Sequence, residues 1–458
     1  MFDYPRFAEP LREEIRENAE KMAEKNGIEI EFVRSAGSFR KEDRIKEIMR
    51  NRGDYPGLVH IFSAMEPCPA YTPWHDKPSG RTLLKYKDGK CLHYYFYFID
   101  SIYGLCYLRV PTWAPFRLQF YCNGHSWLAN QIRNQGMNFT PLDNTFIQME
   151  DWDKAQELSH AFAVNQLHAF LDETANLYCP VIRHFSNTCH WSIMQCEYAM
   201  DIVFRRQQDL KPLYETLSRT AIHAVKADNV ATFLGRKLDG RYKDELGNDF
   251  HTRVEGTRIK HHMGPVSIKL YDKQGLVLRI ETTVNDVTFF RHYRTVEHHD
   301  GSQEMKMAAM QKGIYSFPAL QACLSAANRR YLDFLSELLD PTGGVKDVEK
   351  LSEPAKKDGR KYRGFNLFHP EDFHFILALV RGEGNISGVT NKMIRSHFPH
   401  KTGGQISRLI KSMRVHGILK KVGKAYKYYL TKFGRRVLLT ALKLKELVVI
   451  PSLAGVLT

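Results

Sequence analysis

Two runs of alternating apolar and polar residues around a short turn constrain the fold of this chain more than any other feature. They lie in 264–286, GPVSIKLYDKQGLVLRIETTVND. Alternation with a period of two is typical of β-strands, and Gly275 suits the left-handed position of a three-residue hairpin loop at 273–275. The pairs expected across this loop are Asp272–Leu276, Leu270–Leu278 and Ile268–Ile280. One face is then apolar, and the other carries Ser267, Lys269, Tyr271, Arg279, Glu281 and Thr283.

A strand upstream offers acidic partners for that polar face. In QCEYAMDIVF, 195–204, Glu197 and Asp201 lie on one side of the strand. Two carboxylates that are buried together without a cation are costly, so a positive charge is expected near them. If this strand neighbours the hairpin, both carboxylates converge with Glu281. Three carboxylates with open water positions suit Mg²⁺ or Mn²⁺, which predicts a metal site on this face.

The same face could cleave a nucleic-acid strand, with Tyr271 attacking a phosphodiester whose charge is offset by the metal and by Lys269 or Arg279. Residues 190–286 resemble the replication initiators of rolling-circle plasmids and the related relaxases. The resemblance is carried by an acidic strand CEYAMD, a helix, the segment FLGRK and the strands IKLYDK and LRIETT, in that order. It implies a sheet that nicks DNA through a tyrosine aided by acidic metal ligands.

The chain departs from that family at one position. The family generally has a tyrosine beside the Gly-Arg/Lys segment, where this chain has Phe233. Tyr271 and Tyr242 are the substitute candidates for the nucleophile. A sheet that binds DNA or RNA without cleaving it is therefore the other interpretation of the central region.

The excess positive charge of the chain is concentrated at its C-terminal end. The formal net charge of the 458 residues is +15, and residues 341–458 alone hold 23 Lys and Arg against 8 Asp and Glu. The first 340 residues hold 43 of each kind and are neutral overall. A basic block of this kind is typical of a nucleic-acid-binding domain, whereas a lysine-rich solvated surface is the simpler alternative.

The order of elements at the C-terminal end favours nucleic-acid binding. HPEDFHFILALVRGEG, TNKMIRSHF and TGGQISRLIKSMRVHGIL predict three helices, LKKVGKAYKYYLT predicts two short strands around a turn, and KFGRRVLLTALKLKEL predicts a closing helix. This order resembles a winged helix-turn-helix, and YYLTKFGRRVLLTA resembles the MarR-like regulators. The helical spacing of the apolar positions in the third helix predicts that they face the core: Ile406, Leu409, Ile410 and Met413.

The remaining positions of the third helix are the candidate nucleic-acid contacts. Arg and Gln suit base edges and Lys suits phosphates, which selects Gln405, Arg408, Lys411, Ser412 and Lys401. A wing would meet the DNA backbone through the lysines of the strand pair, which are Lys420, Lys421, Lys424 and Lys427. A winged helix used only for protein contacts is the alternative, and the charge weighs against it.

The fold class expected is α+β and multidomain, with mixed α/β sheet domains followed by a C-terminal winged helix-turn-helix. The predicted segments are N-terminal helices (1–57), an aromatic-rich β-sheet with a long helix at 151–178 (58–185), a replication-initiator-like α/β domain (186–340), a polar linker (341–364) and the winged helix (365–458).

Other candidate sites are less specific. Cys68, His75, Cys91 and His93 are zinc-ligand types, but their spacing is not a standard one. HYRTVEHHD, 292–300, gathers His residues and an Asp that a polar loop explains more simply. The strand HYYFYF, 93–98, could stack unpaired bases, although core packing accounts for it more economically. The chain has no GxxxxGK[ST] segment, so no nucleotide cofactor is indicated.

Composition predicts a cytoplasmic protein without a membrane partner. No stretch approaches the roughly 18 apolar residues of a span, the N-terminal residues lack the apolar core of a secretory signal, and the eight Cys form no CxxC pair. Three functions follow as hypotheses: a DNA-binding replication initiator or mobile-element protein with metal-dependent nicking, a non-catalytic winged-helix regulator, and a structured-RNA-binding protein. A second copy of the chain, in a homodimer, is a further candidate partner.

Overall fold

The computed structural model describes residues 4–34, 39–113, 116–186, 188–236, 246–253, 256–337, 344–380, 388–423 and 426–445. The chain divides into two compact units, residues 1–191 and 192–458. Both units combine helices with largely antiparallel sheets. The expected α+β multidomain class is therefore confirmed. Tyr242 and Lys424 lie outside the described residues.

The first unit is built on a sheet in the order β1-β2-β3-β4-β5. Its strands are β1 (Ile30–Phe32), β2 (Gly57–Asp76), β3 (Arg81–Asp100), β4 (Gly104–Pro111) and β5 (Gln119–Cys122). Strand β1 is parallel to β2, and the other neighbours are antiparallel. The helices are α1 (Tyr4–Asn26), α2 (Lys41–Arg52), α3 (Gly124–Asn134), α4 (Trp152–His160) and α5 (Val164–Tyr178), and a small hairpin joins β6 (Phe139–Pro141) to β7 (Phe146–Met149).

Where β2 and β3 have neighbouring strands, helices of the unit cover both faces of this sheet. On one face, the rings of Phe96 and Phe98 stack on Tyr178 of α5, with centroids 4.7 and 5.2 Å apart. On the other face, Ile45 of α2 packs with Phe62 and Tyr97. All six residues of the strand segment 93–98 are buried. The aromatic strand therefore belongs to the core and does not offer its rings to unpaired bases.

The single helix predicted at 151–178 is two helices, α4 and α5, separated at Ala161–Ala163. The apolar pattern continues across the break, but the two helices pack on different partners. Residues of α4 join a small core with Ile132 of α3, whereas α5 packs on the sheet. Because each helix follows its own partner, the helix axis has to change direction between them.

The central sheet of the second unit has the order β8-β12-β11-β10-β9, with every neighbouring pair antiparallel. Its strands are β8 (Cys196–Val203), β9 (Leu246–Arg253), β10 (Gly256–Met263), β11 (Val266–Lys273) and β12 (Val277–Val284). The apolar face packs with α6 (Gln207–His223), α7 (Ala227–Phe233) and α8 (Phe317–Glu337), and Ile268, Leu270 and Ile280 lie in that core. A separate hairpin follows, β13 (Arg291–Glu297) and β14 (Gln303–Ala309).

The predicted hairpin is present, but its register differs from the prediction by two residues. Leu270 pairs with Ile280 and Asp272 with Leu278, because the loop is 274–276 and not 273–275. Gln274 and Gly275 both have positive φ, 52° and 71°, which is the requirement of the type I′ turns that match strand twist. A shift of two residues keeps every side chain on its face, so the predicted division into apolar and polar faces is correct.

The C-terminal part of the second unit follows the predicted order of elements. It contains α10 (Pro370–Val380), α11 (Asn391–Ser396), α12 (Gly403–Val415), the strand pair β17 (Leu419–Lys421) and β18 (Tyr428–Leu430), and α13 (Lys432–Lys443). Val389 forms an antiparallel bridge with Tyr428, which adds a third short strand segment beside the hairpin. These elements enclose one core that includes Phe375, Ile394 and Val437.

The segment predicted as a linker, 341–364, is folded over its described part. It forms α9 (Gly344–Ser352) and a small hairpin, β15 (Ala355–Lys357) and β16 (Arg360–Tyr362). Leu351 is buried in the C-terminal core, and Asp347 accepts a hydrogen bond from Arg436 Nε at 2.7 Å. Within this polar segment lies a short helix whose described apolar residues, Val348 and Leu351, pack against that core.

Candidate nucleic-acid interface

Helix α12 begins with a capping box that fixes its first turn. The Thr402 side chain accepts a hydrogen bond from the Gln405 amide, and Gln405 Oε1 accepts one from the Thr402 amide at 2.8 Å. This reciprocal arrangement satisfies two amide groups that the helix leaves without partners. Because Gln405 supplies its carbonyl oxygen to the cap, only its amide nitrogen is left to contact a ligand.

The two faces of α12 are divided largely as the sequence predicts. Ile406, Ile410 and Met413 are buried and Leu409 packs partly against the same core, which confirms the predicted inward face. Gln405, Arg408 and Lys411 are exposed. Ser412 is buried, so its placement on the outer face was wrong. Ser412 lies at the border of the buried face, where a small side chain fits. The buried face of α12 is therefore wider than the positions of its large apolar residues predicted.

The strand pair β17–β18 presents exposed lysines beside α12. Lys420, Lys421 and Lys427 are all exposed. Lys421 Nζ lies 4.5 Å from the centroid of the Tyr426 ring, a cation–π contact at an exposed position. The hairpin therefore holds positive side chains away from the core and open to solvent.

Lys401 is placed differently from the other predicted contacts. Its ammonium lies 3.1 Å from Glu371 Oε2 at the start of α10, and its side chain is only 16% exposed. The hydrogen bond and charge of Lys401 hold the pKa of Glu371 below its ordinary value. Lys401 therefore links the turn between α11 and α12 to the start of α10, and Glu371 balances its charge.

The charges of this region are unevenly matched. Residues 384–445 contain fifteen Lys and Arg and no Asp or Glu. Two of the acidic residues that precede them are paired: Asp372 with Arg363, and Asp347 with Arg436. Within the described ranges, no ion pair involves Arg408, Lys411, Lys420, Lys421 or Lys427. The α12 face and the hairpin together form a positive surface without internal counter-charges.

The predicted polar face of the central sheet is also present, as a row of ion pairs. Arg279 donates from Nε and Nη2 to the two oxygens of Asp201, each at 2.6 Å, and its side chain is 1% exposed. Lys269 Nζ lies 2.7 Å from Glu281 Oε1 and 3.6 Å from Glu197 Oε1. Each predicted carboxylate therefore has a cation beside it, as the cost of burying carboxylates requires.

The pKa values on this face follow from those contacts. Burial raises the pKa of Glu281, but the charge and hydrogen bond of Lys269 and the hydroxyl of Tyr271 outweigh it, so the pKa is held below its ordinary value. Burial and the neighbouring Glu281 raise the pKa of Tyr271 well above its ordinary value. The hydroxyl of Tyr271 is thus kept protonated and bound to Glu281, which is unfavourable for a nucleophile.

The three carboxylates share a face but do not meet at one point. Glu281 pairs across the sheet with Ala199, and Asp201 and Glu197 lie two residues to either side on β8. Four residues along a strand separate Glu197 from Asp201 by about 13 Å. In the described part of the chain, no group of three or more His, Cys, Asp or Glu residues is placed to hold a metal ion. Bound Mg²⁺ or Mn²⁺ stays a prediction.

The structure also shows where the residues of the less specific candidate sites lie. Cys91 Sγ lies 3.8 Å from His93 Nδ1 in the core, and Cys68 is buried nearby, whereas His75 is exposed and contacts Thr82. The four predicted zinc ligands are therefore not brought together. In the 292–300 segment, residues 292–297 belong to strand β13, so the expectation of a loop was wrong for them; His298, in the exposed turn that follows, contacts Glu304.

Comparisons with known proteins give no relative: no family model, no curated protein and no solved structure matches this chain. Over the residues that can be described, no helix combines the length and the apolar composition needed to span a bilayer.

Proposed function

We propose that this protein binds nucleic acid through the C-terminal part of its second unit, with duplex DNA as the partner. The observation that carries the proposal is the exposed positive surface of α12 and the β17–β18 hairpin, which has no acidic residue of its own. A polyanion is the ligand that such a surface suits, because each Lys or Arg that contacts a phosphate releases a condensed counterion. Arg408 and Lys411 are the helix contacts, and Lys420, Lys421 and Lys427 are the hairpin contacts.

Duplex DNA is favoured over other polyanions by the shape of the surface. A helix fits the major groove, and an adjacent hairpin can then reach the phosphate backbone. The order of α10, α11, α12 and the hairpin resembles a winged helix-turn-helix, and the strand bridge from Val389 to Tyr428 adds a third short strand segment beside the hairpin. An RNA duplex has a major groove too narrow for a helix, so it is the weaker candidate.

We propose a structural role for the central sheet in place of strand cleavage. Its charged side chains bind one another, and the Tyr271 hydroxyl is bound to Glu281. Nicking would require this hydroxyl to be released and deprotonated against its raised pKa. Incubation with Mn²⁺ and DNA that flanks the gene tests this directly: we expect no covalent protein–DNA adduct, and an adduct that disappears in Tyr271→Phe would restore the nicking hypothesis.

Fluorescence anisotropy with a mixed-sequence duplex tests the interface. The double variant Arg408→Gln/Lys411→Gln should weaken binding by at least about tenfold at 0.1 M salt, because two phosphate or base contacts are lost. The matched control Lys25→Gln/Lys46→Gln removes the same charge from exposed positions of α1 and α2 and should bind like the wild type. Equal losses in both variants would show that net charge alone is responsible and would contradict the assignment. A greater affinity for a structured RNA competitor than for DNA would overturn the choice of ligand.

A further inference from the structure

Strands β2 and β3 continue far beyond the sheet of the first unit. They pair along their whole lengths, from Gly57 with Ile99 to Asp76 with Arg81. Strand β1 pairs only with residues 61–63, and β4 only with residues 93–100. Residues 67–90 therefore form a two-stranded ribbon, called here the β-ribbon, beside which the described part of the chain places no third strand. Its ten residue pairs span about 33 Å.

The β-ribbon is basic, and its cations lie mainly on one face. Residues 67–90 hold five Lys and Arg and two Asp. Cross-strand pairs place Trp74 opposite Leu83 and Arg81 opposite Asp76, with Lys85 and Lys87 further along the same face. Asp76 accepts hydrogen bonds from Ser79 in the turn, and no described residue forms an ion pair with the three cations of this face.

Exposed apolar side chains accompany these cations. Trp74 is 45% exposed and Leu83 is 49% exposed. Lys85 Nζ lies 5.5 Å from the centroid of the Trp74 ring. An isolated two-stranded ribbon is marginally stable in water. The cross-strand pair Trp74 and Leu83 adds adjacent exposed apolar area to the face that carries the cations. A ligand that is both anionic and able to contact an aromatic ring would cover this face.

The outer edge of β2 argues against a protein strand as that ligand. Pro67, Pro69 and Pro73 occupy alternate positions, whose amides would all point to the same edge. Proline has no N–H group, and within a paired strand it is tolerated where that group would point away from the partner. The β2 edge of the β-ribbon therefore offers few donors for an added strand, which favours recognition by the side chains of its charged face.

We propose that the β-ribbon is a second nucleic-acid-binding site, which enters a groove of duplex DNA. A two-stranded ribbon fits the major groove. Arg81, Lys85 and Lys87 contact phosphates, and the Trp74 ring packs against the sugar and base edges. The inference rests on the proposed function for the nature of the ligand alone, because the β-ribbon shares no residue with α12 or the β17–β18 hairpin.

The test uses the full chain and a DNA duplex of about 30 base pairs, with affinity measured from about 50 to 200 mM salt. The variant Arg81→Gln/Lys85→Gln/Lys87→Gln should weaken binding by at least about tenfold and make the slope of log K against log salt shallower by roughly 2 to 3. The matched control Lys25→Gln/Lys46→Gln/Arg50→Gln removes three exposed charges from α1 and α2 and should keep the wild-type slope.

Trp74→Ala gives a separate readout of the aromatic contact. It should weaken binding by about tenfold with the salt slope unchanged, because the lost contact is not ionic. A photocrosslinking residue at position 83 should attach to the DNA, whereas the same residue at position 86, on the opposite face, should not. Crosslinking from position 86 alone would overturn the choice of face.

The outcomes separate this inference from the proposed function. Wild-type affinity and slope in the β-ribbon triple variant, with a loss in Arg408→Gln/Lys411→Gln, would overturn the β-ribbon site and leave the C-terminal interface intact. The reverse pattern would overturn the C-terminal interface alone. Equal losses by the triple variant on duplex DNA and duplex RNA would overturn the groove contact, because the RNA major groove does not admit a ribbon. If the triple variant lost affinity for vesicles of anionic phospholipid but kept the wild-type affinity for DNA, nucleic acid would be overturned as the ligand of the β-ribbon.

Discussion

At the scale of single residues, the charges of the central sheet are held by specific partners. Arg279 can be almost completely buried because Asp201 accepts two hydrogen bonds from it. The buried carboxylate of Glu281 is balanced in turn by the ammonium of Lys269. Such pairs do not add much stability compared with apolar residues, but removal of one member leaves the other charge buried and uncompensated. We therefore expect the pairs to act more by specifying which strands lie beside one another than by stabilising the sheet.

Removal of Asp201 tests this account of the buried pair. Asp201→Ala should lower the free energy of unfolding of the central sheet by about 3 kcal/mol, because Arg279 loses its counter-charge inside the protein. The control Asp209→Ala breaks an exposed pair with Arg206 and should cost less than about 1 kcal/mol. Hydrogen exchange of the β8 and β12 amides under native conditions would measure both. Similar small effects in the two variants would contradict the assignment.

The lowered pKa of Glu281 predicts how stability depends on pH. A carboxyl group whose pKa is lower in the folded state stabilises the protein above its unfolded value, near 4.5, and loses this contribution as the pH falls through the folded pKa. In Lys269→Met, burial dominates and the pKa of Glu281 should rise above 4.5. The difference in stability between wild type and variant should therefore shrink as the pH is lowered from 6 to below 4.5. A difference that is constant with pH would contradict the pairing.

At the scale of elements, periodicity predicts faces better than it predicts ends. The hairpin β11–β12 has the predicted faces with another loop, because turns that differ by a two-residue shift preserve the alternation of side chains. The predicted helix at 151–178 is broken because its halves meet different partners, which no local pattern reports. Helix α9 is missed because its segment is polar: among its described residues, Leu351 is the one apolar side chain that is fully buried.

The role of α9 can be tested by shortening that buried side chain. Leu351→Ala should destabilise the C-terminal core by about 2–4 kcal/mol, through lost apolar contacts and the cavity left behind. Lys350→Ala, an exposed neighbour on the same helix, should change stability by less than about 0.5 kcal/mol. The effect would be measured by unfolding the protein in urea and monitoring the protease resistance of residues 370–443. An unaffected core would mean that 341–364 acts as the linker that its composition indicates.

At the scale of the whole molecule, the sequence predicts which surface is charged better than which residues share a site. The C-terminal excess of Lys and Arg and the inward face of α12 follow from composition and helical spacing. The neutralisation of Lys401 by Glu371 does not, because it depends on how α10 packs against the turn before α12. The net charge of residues 1–340 also fails to reveal the β-ribbon, because its three excess positive charges are balanced by acidic residues elsewhere in that range.

The central claim is that α12 and the β17–β18 hairpin are the surface that meets DNA. Hydrogen–deuterium exchange of the full chain, with and without a mixed-sequence duplex at low salt, tests it most directly. The account predicts slower exchange on DNA binding in 403–415, 419–421 and 428–430, and no such change in the buried β11–β12 hairpin. Unchanged exchange in those three segments, with the duplex bound, would contradict it.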